Sequence, residues 1–223
     1  MPSFTSVRMT TKKISDSTVR RLSRYLRQLR EFERHDSRIV SSTELASGSG
    51  TTAAQVRKDL SHFGSFGKRG QGYSVPDLRQ RLEDILGLSR RWPVAVIGVG
   101  KIGSALLGYG RFANKGFDII AAFDSNPARV GLEIGGVRVN SVDEIRKVFA
   151  EEEVAIAIIS TPPEEAQTAA DRAIEAGASA ILNFAPIKLD VPPGIAMRTM
   201  DVTLELEGLS YLVTAGRAEG GGD

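Results

Sequence analysis

Residues 94–110, VAVIGVGKIGSALLGYG, run as an apolar strand, break at Gly98-x-Gly100-x-x-Gly103, and resume with helical spacing. This stretch constrains the fold more than any other. A continuous apolar run suits a strand covered on both faces, and such strands belong to parallel sheets with helices in the crossovers. The segments downstream keep that rhythm: FDIIAAFD, SVDEIRKVFAEE, VAIAIIS, PEEAQTAADRAIEAG and ASAILNF read as strand, helix, strand, helix, strand. They predict a C-terminal Rossmann-like, doubly wound parallel sheet.

In such a sheet the three glycines have distinct tasks. Gly98 permits the tight turn, Gly100 lets a pyrophosphate approach the backbone, and Gly103 lets helix and strand pack closely. Val99, Lys101 and Ile102 complete the loop. Asp124 ends the second strand 21 residues beyond Gly103, the place of a carboxylate that accepts from a ribose diol. NAD(H) is therefore the expected cofactor, and a carboxylate there opposes the charged 3′-phosphate of coenzyme A. Thr161, Pro162, Asn183 and Phe184 follow later strands, where open α/β sheets bind ligands, and are expected to line the far half of the pocket. Tyr109 is expected near the nicotinamide. Residues 92–223 contain no His and no Cys, and nothing there resembles a substrate site. The dinucleotide is expected to be read rather than used, so the chain is not expected to be an enzyme.

The formal net charge of +2 hides a division. Residues 1–91 carry 18 Lys+Arg against 9 Asp+Glu, and residues 92–223 carry 11 against 18. A basic module joined to an acidic one suggests a polyanionic partner for the first. LGLSRRWP, 86–93, marks the junction, giving domains at 1–88 and 89–223. Within the basic part, DSTVRRLSRYLRQLREFERHD places Val19, Leu22, Leu26 and Leu29 on one helical face, completed by Tyr25 and Phe32. Most of its arginines lie opposite, but Arg21 sits at the edge of the apolar arc. A short helix from Ser42 or Thr43 through Ala46, the turn SGSG, and a helix from Ala53 to about His62 then form a helix-turn-helix. Ala53, Val56, Leu60 and Phe63 face inward in the second helix, while Thr51, Gln55, Lys58 and His62 face outward, flanked by Arg57. Such residues can read bases in the major groove. FGSFGKRGQGYSV, 63–75, predicts a wing hairpin with Lys68 and Arg69 at its tip, suited to phosphate or a minor groove.

The chain has no cysteine and only two histidines, so neither a disulfide framework nor a metal site is expected. No apolar run approaches the roughly 18 residues of a membrane span, and the N-terminus lacks the apolar core of a signal peptide. A soluble cytoplasmic protein with no membrane partner is expected.

QVRKDLSHFGSFGKRGQGY, together with VIGVGKIGSAL, FD and ILNFAP, resembles the Rex family of redox-sensing transcriptional repressors over about residues 14–213. The resemblance implies a homodimer with an N-terminal winged helix-turn-helix and a Rossmann-like NAD(H) domain. It implies binding to an approximately palindromic operator that NADH releases. It also implies a link between the two modules through Arg21, Tyr109 and Asp201. The family ends in a helix exchanged between subunits; here LEGLSYLVTAG passes quickly into RAEGGGD, which leaves the extent of that exchange open.

Overall fold

The computed structural model describes residues 14–64, 66 and 71–219, with side chains described as far as 215. The chain divides into two compact units, Met1–Arg90 and Arg91–Asp223.

The first unit is built on α1 (Asp16–Arg34). Its start is fixed by Ser15, whose hydroxyl accepts from the Thr18 amide and so satisfies one of the free donors of the first turn. The short strand β1 (Ile39–Val40) leads into α2 (Ser42–Ser47), which is held by a capping box between Ser41 and Glu44. The cap therefore falls one residue earlier than the sequence suggests. Thr52 caps α3 (Ala53–Ser61), β2 (Tyr73–Ser74) follows, and α4 (Val75–Ile85) closes the unit with Pro76 in its first turn. Leu22, Tyr25, Leu26 and Leu29 meet Leu45, Val56, Leu60, Leu78 and Leu82 in one buried core. Tyr73 is extended, as the glycine-rich segment implies, but its partner is Val40 in an antiparallel β1–β2 pair. Lys68 and Arg69, the expected wing tip, lie outside the described residues.

The second unit alternates strands and helices. It contains β3 (Trp92–Ile97), α5 (Lys101–Leu107), β4 (Phe117–Asp124), β5 (Glu133–Ile134), β6 (Val137–Ser141), α6 (Ile145–Glu151), β7 (Ile156–Ile159), α7 (Pro163–Glu175), β8 (Ala180–Asn183) and β9 (Ala196–Thr199). The sheet order is β5-β6-β4-β3-β7-β8-β9, parallel except for the β5–β6 pair. Period-two alternation explains the layers. Ala95, Ile97, Ala121, Phe123, Ala157 and Ile159 enter one core with α6 and α7, while Val94, Val96, Ala122 and Ile158 enter a second with α5. A stripe of Ala166, Ala169, Ala170 and Ala173 lets α7 lie close to the sheet. From β3 the chain builds outward through β4 and β6 on one side and then crosses back to β7 on the other, so the strand order reverses at β3. That opens a crevice at the carboxyl ends of β3, β4 and β7.

The last helix, α8 (Val202–Glu219), has 18 residues and is longer than the sequence suggests. Its apolar side chains Val202, Leu204, Leu206, Leu209, Tyr211, Leu212 and Val213 are all exposed. Among the described residues no helix is long and apolar enough to cross a membrane, and no cluster of His, Cys, Asp or Glu could hold a metal ion.

Phe149 fills the α6–sheet interface and its ring lies 5.9 Å from that of Phe123. Phe149→Ala should destabilise the second unit by about 3–5 kcal/mol, the usual cost of emptying a buried aromatic site. Urea unfolding followed by circular dichroism measures it.

Candidate dinucleotide cleft and nucleic-acid face

The crevice at the switch point is a cleft of about 680 Å³. Its floor is the glycine loop. Gly98 has φ +91°, a left-handed conformation that favours glycine, and a Cβ there would come within 2.7 Å of the Thr161 amide nitrogen. Gly103 is as constrained, because a Cβ would overlap the carbonyl oxygen of Gly98. Gly100 differs: nothing stands within 4 Å of where its Cβ would be. The loop is thus closed at its two ends and open in the middle, where a phosphate would approach. Ser160 tightens it from β7 by donating its hydroxyl to the Gly98 carbonyl at 2.7 Å.

Asp124 is 5% exposed. Its Oδ2 accepts from the Val99 amide at 2.7 Å and from Arg129 Nη1 at 3.1 Å, and its Oδ1 accepts from the Asn126 amide at 2.8 Å. The carboxylate therefore ties the glycine loop to the end of β4 and carries a cation on its outer side. With about four acceptor sites on a carboxylate, three of them are taken and one is left over. Lys101, Ile102, Thr161 and Pro162 share the cleft wall with Asp124, as do the charged groups Arg129, Glu164, Glu165 and Arg172.

Other expected residues lie elsewhere. Among the described residues, the wall of this cleft does not include Tyr109, Asn183 or Phe184. Asn183 is fully buried; its amide donates to the Ala185 and Ile187 carbonyls, and its Oδ1 accepts from the Ala185 amide. It folds the NFAP turn instead of facing a ligand. Phe184 packs against the α5-side core. Tyr109 is 51% exposed and meets Phe112 edge-on at 5.0 Å. Position after a strand end locates a loop, but it does not say which side chains of that loop turn into the crevice.

In the first unit, Thr52 caps α3 by accepting from the Gln55 amide. Lys58 and His62 stand exposed, and His62 Nδ1 lies 2.7 Å from the Lys58 carbonyl. Arg57 is exposed and donates to the Ser42 hydroxyl at 2.8 Å, linking α3 to α2. Thr51 is half-buried.

Beneath this face lies a residue that the helical wheel missed. Asp59, 1% exposed, accepts from Arg21 Nε at 2.6 Å and Nη2 at 2.8 Å, from the Tyr25 hydroxyl at 2.9 Å, and from Gln55 Nε2 at 2.8 Å. Burial alone would raise the Asp59 carboxyl, but the bonds from Arg21, Gln55 and Tyr25 outweigh it and hold the group below the usual carboxylate range. A signal was available. Asp59 lies between Val56 and Leu60 on the inward side of α3, and Arg21 lies at the inward edge of α1. Two opposite charges facing one core need each other. Arg21 is thus engaged inside its own unit, and Asp201 accepts from the Thr203 amide at the start of α8.

Gly103→Ala should open the loop, costing about 1–3 kcal/mol by overpacking and weakening dinucleotide binding at least tenfold. Thermal unfolding and a fluorescence titration with NADH would check both. A second expectation concerns Tyr25, whose phenol is pushed up to about 12 by burial and then by Asp59. Its native pKa lies above the unfolded value of about 10, so its contribution to stability is intact below pH 10 and is lost as pH climbs through 12. Ultraviolet titration should show one tyrosine ionising near pH 12, and Tyr25→Phe should remove it.

Residues 89–187 match the family described as CoA binding domain, and residues 13–61 match that described as putative DNA-binding protein N-terminus. The redox-sensing transcriptional repressor Rex of Desulfitobacterium hafniense is 44% identical over 210 residues, covering 94% of this chain and 100% of that relative. The Rex repressor of Streptomyces coelicolor is 41% identical over 198 residues, covering 89% and 77% respectively. Among solved structures, RSP in complex with β-NAD⁺ and operator DNA aligns with a TM-score of 0.87 at 37% identity, covering 92% of this chain and 95% of that one. RSP in complex with β-NADH aligns at 0.83 with 36% identity, covering 92% and 96%. Both units are matched, in the same order and nearly end to end, and the chain belongs to the Rex family of redox-sensing transcriptional repressors.

Proposed function

We propose that this chain is a homodimeric repressor that holds an approximately palindromic operator through its N-terminal units and releases it when NADH occupies the glycine-loop cleft. One observation carries this reading: a helix-turn-helix with polar side chains on its open face and a switch-point cleft stand in one chain, and both match Rex repressors. The likeness to RSP, solved with NAD⁺ and operator DNA and again with NADH, supports both ligands. Thr51, Gln55, Arg57, Lys58 and His62 face the DNA, and Lys68 and Arg69 extend the contact.

The exposed face of α8 supports the dimer. Burying a leucine or valine contributes about 1.5–3 kcal/mol, and this helix exposes a whole series of apolar residues. A second copy of the chain, supplying the same helix, is the partner that two-fold symmetry provides. It would also place two recognition helices on two half-sites.

The dinucleotide acts as signal and not as reactant, in the cytoplasm. Residues 92–223 offer no His or Cys as an acid–base group beside a hydride centre. NADH and NAD⁺ share every group that the glycine loop and Asp124 touch, so discrimination belongs to the nicotinamide end. A hundredfold loss of operator affinity needs about 2.7 kcal/mol of differential binding between the two states of the protein. Arg21, Tyr109 and Asp201 are the proposed route, with Asp59 as the partner that Arg21 holds within its own unit.

Retention of DNA from upstream of the chain's own coding sequence, followed by gel mobility shift with NADH, NAD⁺ and NADPH, tests the proposal. Retention should be salt-sensitive, and NADH should release the DNA at the lowest concentration. NADPH should be weaker, because Asp124 repels a 2′-phosphate. Arg129→Ala should widen that gap, since it removes the cation paired with Asp124. Absence of specific retention, or equal potency of NADPH and NADH, contradicts the reading.

A further inference from the structure

Gln55 lies in the first turn of α3, the part of a recognition helix that reaches base edges. A free glutamine is ambiguous there. Its amide has an acceptor and a donor end, and rotation by half a turn exchanges them. Free to turn, it can answer a base that presents an amino group or one that presents a carbonyl. In this protein one end of the amide is already engaged. The carboxylate of Asp59 lies 2.8 Å away, almost wholly buried and paired with the Arg21 guanidinium. A carboxylate in that setting has no proton to give and can only accept, so the group of Gln55 that faces it is the NH2. The carbonyl oxygen and the second N–H are left for the groove.

Asp59 is itself prevented from turning. Arg21 approaches both of its oxygens as a fork, and the Tyr25 hydroxyl bonds to Oδ2. Arg21 and Tyr25 are one turn apart on α1, so a second helix dictates the orientation of the carboxylate on α3. The chain of constraint runs from α1 through Asp59 to the Gln55 amide.

We propose that Asp59 is a positioning residue that fixes the hydrogen-bond polarity of Gln55, so that this position of the operator is read as a base presenting an amino group in the major groove. The inference rests on α3 being the base-reading helix of the repressor. Adenine fits both remaining groups, with N6–H₂ donating to Oε1 and N7 accepting from the second N–H. Cytosine satisfies Oε1 alone through N4–H₂. Guanine can accept from the second N–H at N7 but sets its O6 against Oε1, and thymine sets its O4 there, so both rank below adenine and cytosine.

The test uses the full-length chain and the half-site defined by footprinting on its upstream DNA. Each base pair of the half-site is replaced in turn, and the position where Gln55→Ala loses its preference is assigned to Gln55. Wild type should rank adenine first there, cytosine next, and guanine and thymine last. Replacing adenine by purine, which lacks the N6 amino group but keeps N7, should cost roughly tenfold, toward the lower end of the range for a complete bidentate contact. Asp59→Asn, whose amide can donate as well as accept, should flatten the ranking at that position to within about threefold and leave the other positions unchanged. A uniform loss of affinity would indicate only a damaged helix and would overturn the proposal. So would an unchanged ranking in Asp59→Asn, a wild-type preference for guanine or thymine, or no effect of Gln55→Ala at any position. If Asp59→Asn does not fold, the wild-type series with purine and with guanine decides alone. Failure of the wild-type chain to retain any DNA specifically would overturn the repressor reading instead.

Discussion

A buried carboxylate must have its lone pairs answered, because an ionised oxygen without partners costs several kcal/mol in a low-dielectric interior. Each unit of this chain contains one such group at its functional edge. In the first, Asp59 draws Arg21, Tyr25 and Gln55 to a single point. In the second, Asp124 draws in the Val99 amide, the Asn126 amide and Arg129. In both cases at least one donor comes from another element, Arg21 and Tyr25 from α1 and the Val99 amide from the glycine loop, so satisfying the charge also sets the relation between the elements. Helix α3 is tied to α1, and the glycine loop to β4.

The hydrophobic layers place these groups without determining their chemistry. Alternation along β3 and β7, and along β4 beyond the register shift opposite Val94 and Ala95, sends apolar residues to both faces of the sheet, so helices must cover both. The reversal of strand order at β3 then leaves a gap at the carboxyl ends that no crossover helix can fill. Gly98, Ser160 and Thr161 close the bottom of that gap by direct backbone contact between neighbouring loops.

Much of this was legible in the residue order. Period-two alternation, helical periodicity and the glycine spacing identify the elements, because each reports a local geometric requirement. Asp124 was legible for the same reason, since it ends a strand at a set distance from the loop. Asp59 is legible only when two helices are read together, because its role depends on Arg21, 38 residues away. A wheel drawn for one helix cannot show a partner on another. Asn183 misled for a related reason: the residue after a strand can fold its own turn, and three local hydrogen bonds take it inward. The β1–β2 pairing escaped notice because two-residue strands carry too little pattern to reveal a partner.

The exposed side of α8 has a further consequence. A helix that presents leucine, valine and tyrosine to water has little reason to stay helical unless something covers them, since most helical stability in proteins comes from packing. If a second copy covers it, folding of this segment and association become one equilibrium. Heat resistance would then rise with protein concentration, by mass action. Dilution would act on this molecule as a mild denaturant.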